Sequence, residues 1–129
     1  MKNFKIFTIL FFTILSCNVF GQGIVEIHNP SPYNVQIDFV DPGGFATTVT
    51  LAAGGAITTN ITIAFNTVSV TNTSNAACNA IVSSPLPFGP GPGMYTANAN
   101  TPIPPCNFNI ALREIGYLSL PMQFLLDIY

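Results

Sequence analysis

One histidine, His28, and three cysteines, Cys17, Cys78 and Cys106, are the side chains in this 129-residue chain most able to carry nucleophilic, redox or metal chemistry. Hydrolysis of the Ser-His-Asp kind needs an imidazole oriented by an acid. Glu26 lies two residues before His28 and would share its face of a strand, so a Glu26–His28 pair is sterically allowed. Nothing else in the sequence converges on that pair, and both side chains are expected to face solvent at the start of an edge strand. A Gly-x-Ser-x-Gly elbow, a His-Glu-x-x-His helix and a phosphate loop are all missing from the sequence. Asp38 and Asp41 would sit near a hairpin end, but two acids are few for glycosidase chemistry or calcium. We therefore expect a protein that is not an enzyme, with no catalytic residues, no metal and no cofactor.

The elements that would hold these residues follow a leader. Lys2 and Lys5 precede an apolar run from Ile6 to Leu15, and Val19-Phe20-Gly21 offers a small residue at the last position before a cut; residues 1–21 read as a signal peptide. The apolar run is about half of the ~20 residues that a membrane-spanning helix needs. Ile14-Leu15-Ser16-Cys17 resembles a bacterial lipobox, which makes Cys17 a candidate for lipidation and the single expected link to a membrane.

Removal of 21 residues leaves 108, with Arg113 as the only cation against Glu26, Asp38, Asp41, Glu114 and Asp127, a formal net charge of −4. Such a chain lacks the basic stripe that nucleic acid or anionic headgroups require, so no nucleic-acid partner is expected. Export also leaves Cys78 and Cys106 as a pair in an oxidising compartment, where a disulfide is the natural outcome. The loop it closes spans 29 residues counting both ends, worth about 3.6 kcal/mol in the chain-entropy account.

Residues 22–129 read as one domain. Apolar residues recur with period 2 and turn residues interrupt them every 8 to 12 positions, the pattern of an all-β chain. The clearest segment is Tyr33–Val40, where Val35, Ile37 and Phe39 alternate with Asn34, Gln36 and Asp38. Asp41-Pro42-Gly43-Gly44 is expected to form a type II turn with positive φ at Gly43. Phe45, Val49 and Leu51 would share one face of the next strand, and Ile57, Ile61, Ile63 and Phe65 one face of the strand after that. Residues 84–105 hold seven prolines and three glycines, so this stretch is expected to be a loop. Pro121 makes the apolar C-terminal segment Leu118–Tyr129 read as an exposed edge. About seven or eight antiparallel strands favour a single β-sandwich of immunoglobulin-like architecture.

Two functions fit this reading. The first is an exported, non-enzymatic β-sandwich working by protein contact at the cell surface, in a matrix or in an outer-membrane complex, with self-association through the C-terminal segment and with Phe124 and Tyr129 as contacts. The second is a module that binds a glycan or small ligand through Phe88, Met94 and Tyr95, displayed on the Pro/Gly-rich segment. Thr48, Thr50, Thr58, Thr62, Thr67 and Thr71 suit the solvated faces of strands, where threonine is simply a favoured residue.

Overall fold

The computed structural model describes residues 23–89, 93–101, 106–116 and 121–129. The signal-peptide reading of residues 1–21 and the lipidation reading of Cys17 lie outside them. Nine strands form, with no helix among the described residues: β1 (Gly23–His28), β2 (Val35–Val40), β3 (Ala46–Leu51), β4 (Ala56–Ile61), β5 (Thr67–Asn72), β6 (Asn75–Ser83), β7 (Met94–Thr101), β8 (Cys106–Glu114) and β9 (Met122–Ile128). They build a five-stranded sheet, β4-β1-β9-β8-β7, and a four-stranded sheet, β3-β2-β5-β6.

Alternation is why these segments pair into sheets that share one core. Val25 and Ile27 of β1, Phe124, Leu126 and Ile128 of β9, and Phe108, Ile110 and Leu112 of β8 are buried from one sheet. Val35, Ile37 and Phe39 of β2, Val68 and Val70 of β5, and Ala80 and Val82 of β6 meet them from the other, a sandwich-like arrangement. Phe65 lies between the layers, its ring 5.1 Å from that of Phe39 and 5.3 Å from that of Phe124. Edge-to-face ring pairs of this kind add to the burial of their area. The expected disulfide is present: Cys78 of β6 and Cys106 of β8 are joined across the two sheets with Cα atoms 5.6 Å apart. A buried disulfide fits an oxidising, exported compartment.

Several expectations change. The segment expected as a loop contains β7, because its prolines fall at 85–92 and 102–105 and leave Met94–Thr101 free to donate to β8. The C-terminal segment is not an edge: β9 runs between β1 and β8, and Pro121 lies just before it, where a missing donor costs no ladder bond. Nor is β1 an edge, since it is paired on both sides. Its pairing with β9 is parallel, so the sheet is mixed rather than purely antiparallel. Gly23 opens that pair, and a Cβ there would collide with the Met122 carbonyl oxygen, which reserves the position for glycine. Finally, the positive φ of the first hairpin falls on Gly44 at 88°, not on Gly43. The Gly44 N–H bonds to the Asp41 carbonyl at 3.0 Å, a turn of type I kind with Pro second and Gly last.

The strand that was expected to run to Phe65 stops at Ile61, and Phe65 reaches the core from the connection that follows. Phe45 and Ile57, expected in the core, are 74% and 41% exposed.

Candidate functional site

On the outer face of the five-stranded sheet, register brings the charged residues into one strip. His28 pairs with Asp127 across the parallel β1–β9 ladder, and Arg113 lies one strand further on. His28 Nε2 is 2.8 Å from Glu26 Oε1, and its Nδ1 is 3.3 Å from Asp127 Oδ1. The guanidinium of Arg113 donates to the other Asp127 oxygen at 2.6 Å. The pairing of Glu26 with His28 follows from their shared strand face. Asp127 and Arg113 join through long-range register that no local motif announces.

This geometry orients the imidazole without arming it. Both ring nitrogens already face carboxylates, so neither is directed at a hydroxyl or thiol that it could deprotonate. The two acids address opposite sides of the ring and therefore do not converge on a common point, and no cluster of three or more metal-ligating side chains forms among the described residues.

The apolar site candidates divide. Phe88 is 2% exposed, with its ring 5.5 Å from that of Phe65 and 4.6 Å from that of Tyr95. It plugs the end of the core and is unavailable to a ligand. Phe124 is likewise 2% exposed, because β9 is a central strand whose even-numbered residues face inward. Met94, Tyr95 and Tyr129 remain at the surface. The threonines do not make one surface: register places Thr48, Thr50, Thr67 and Thr71 on the outer face of the four-stranded sheet around Gln36, Asp38 and Ser69, whereas Thr58 belongs to the other sheet. There Thr48 and Gln36 both donate to Asp38, at 2.6 and 3.0 Å.

The edge strands carry the most unusual chemistry of the molecule. β4 and β7 end one sheet and β3 and β6 the other, and none of the four contains Asp, Glu, Lys, Arg or Pro. All strand charges lie on β1, β2, β8 and β9, which are paired on both sides. Soluble proteins ordinarily guard a sheet edge with charge or proline, because its unpaired N–H and C=O groups are a template for another strand. β6 and β7 guard each other by packing closely along the side that the disulfide closes. β3 and β4 barely meet, and between them Val49 and Leu51 are only partly buried and Ile57 is exposed.

Sequence reasoning also passed over Asn29 and Ser31, both buried. The Asn29 amide donates to the carbonyls of Tyr33 and Ala52 at 2.8 and 3.0 Å, its own N–H donates to Gly55 at 2.8 Å, and Ser31 donates to its side-chain oxygen. The run Asn29-Pro30-Ser31-Pro32 reads as a loop; the signal that Asn29 is structural lies in its neighbours across the fold. Comparison with protein-family models, with curated proteins and with solved structures gave no match.

Proposed function

We propose that this chain is an exported, non-enzymatic β-sandwich of immunoglobulin-like architecture that acts by protein contact, pairing with further copies of itself through its open edges as part of a surface layer, matrix or envelope complex. The absence of charge and proline from β3 and β4, together with the gap between them, is the observation that carries this reading. Every copy presents the same two neutral edges, so pairing meets little like-charge repulsion at the junction. The cross-sheet disulfide and shared core support the architecture, which lacks the tryptophan of antibody domains.

The alternative of a glycan- or small-ligand-binding module on the Pro/Gly-rich segment loses half of its aromatic pair, since Phe88 is part of the core.

A double variant, Thr50→Lys with Thr58→Lys, places one cation on each open edge at exposed positions. In sedimentation velocity the wild type is expected to form concentration-dependent assemblies and the variant to sediment as a monomer with an unchanged circular dichroism spectrum. A wild type that stays monomeric at high micromolar concentration would sink the proposal.

A further inference from the structure

The open side of the sandwich presents two rows of backbone groups whose phase the neighbouring turns define. The Asn29 N–H donates to the Gly55 carbonyl at 2.8 Å, one pair beyond His28 and Ala56 in the β1–β4 register. Alternate pairs of an antiparallel ladder exchange both of their bonds. Ile27 with Ile57 and Val25 with Thr59 therefore exchange theirs, and the N–H and C=O groups of Ala56, Thr58 and Asn60 point away from β1. The bond from the Asp41 N–H to the Phe45 carbonyl at 2.9 Å sets the same phase on β3, where Ala46, Thr48 and Thr50 point away from β2. All of these residues are exposed, and no described strand pairs with them on that side.

We infer that the occupant is a second copy of this chain in a closed two-fold dimer, in which β3 of each copy pairs antiparallel with β4 of the other and Thr48 lies opposite the partner's Thr58. This rests on the self-pairing proposed above and adds its register, its symmetry and its stopping point. The short Ala52–Gly55 turn reverses the chain between β3 and β4. A two-fold axis along the strands keeps strand direction, so it brings β3 against the partner's β4 in the antiparallel sense. Ala46 then meets the partner's Asn60 and Thr50 the partner's Ala56, and every outward donor and acceptor of both edges is used. A slip of two residues would leave groups unpaired at each end.

The inward-facing side chains select unlike edges. The same register sets Val49 against the partner's Ile57 and Thr47 against the partner's Thr59, apolar on apolar and hydroxyl on hydroxyl. Pairing each edge with its own copy would set Ile57 against Thr59 and Val49 against Thr47 instead. Ile57 faces inward, as Ile61 does, yet is 41% exposed because the sandwich ends there; the partner's Val49 would cover it. Charge does not oppose the contact. Asp38 lies beside Thr48 and Glu26 beside Thr58, so Asp38 and the partner's Glu26 would stand three strand spacings apart. That is about 14 Å, beyond the screening length of about 10 Å at 0.1 M salt. Each through-going sheet then holds four strands of one copy and five of the other. The far side of each copy is closed by β6 and β7 with the disulfide, so growth stops at two.

Four single variants test the register: Thr47→Cys, Val49→Cys, Ile57→Cys and Thr59→Cys, each made in the full chain, purified as the cell processes it and checked by circular dichroism. They are mixed in pairs at high micromolar concentration and oxidised. A non-hydrogen-bonded antiparallel pair brings Cα atoms to about 4.5 Å, within reach of a disulfide. Val49→Cys with Ile57→Cys, and independently Thr47→Cys with Thr59→Cys, are expected to give a cross-linked dimer; either pair suffices should a variant of the other fail to fold. Thr47→Cys with Val49→Cys and Ile57→Cys with Thr59→Cys should stay uncross-linked. Sedimentation velocity of the wild type should show one species of twice the monomer mass. Cross-linking in the last two mixtures sets like edges together and overturns the inference while edge pairing stands, as does a wild type that forms larger particles. A wild type that stays monomeric overturns both.

Discussion

The two long sides of the sandwich solve the same problem in opposite ways. On the β6–β7 side the sheets are drawn together: Ala80 of β6 and Ala97 and Ala99 of β7 are small enough to let the edges approach, and the Cys78–Cys106 disulfide fastens one sheet to the other. On the β3–β4 side larger residues hold the edges apart and leave Ile57 exposed, and the tie there is polar, with Asn29 holding the Ala52–Gly55 turn from beneath. A side closed by covalent and small-residue contact keeps its backbone groups from other chains; a side held only at one corner keeps them available. Stability and availability are thus separated in space, and substitutions can address one without the other.

The largest effect is expected on the closed side. Cys78→Ala with Cys106→Ala should lower unfolding free energy by about 3–4 kcal/mol, from the freed 29-residue loop, read by urea denaturation against the wild type. Asn29→Ala comes next. It strands the carbonyls of Tyr33 and Ala52 and the hydroxyl of Ser31 in a buried site, so a loss of about 2–3 kcal/mol is expected. Hydrogen exchange should show the protection loss concentrated in β3 and β4; a uniform loss over both sides would erase the distinction drawn here.

Ile57→Lys should cost less than about 1 kcal/mol, since the side chain is already 41% exposed, yet abolish the self-association proposed above. Smallest of all is Arg113→Gln, which removes one exposed ion pair from the strip on the outer face. It should change stability by less than about 1 kcal/mol, with the difference vanishing in high salt.

How far the sequence could be read follows from which interactions are local. Val35, Ile37 and Phe39 declare their face through alternation with polar neighbours, and the disulfide follows from compartment and count, so the all-β class and most of the core were legible. β7 was hidden because its inward residues are alanines, with little hydropathic contrast to Thr96 and Asn98, and because prolines crowd both its flanks. The place of β9 was hidden because its neighbours, β1 and β8, include a strand about a hundred residues away in the chain. The site shows the same limit. Glu26 and His28 could be paired from their spacing, but the neutrality of the edges has no meaning until register says which strands are edges.

The parallel β1–β9 pair also sets a clock. The first strand of the domain cannot take its final neighbour until the last strand has emerged, so the five-stranded sheet stays incomplete for as long as any of the chain is still in transit. Contacts this distant in sequence slow folding. For the exported chain proposed above, that delay would keep it thin enough to cross a membrane and reserve closure of the sheet for the far side.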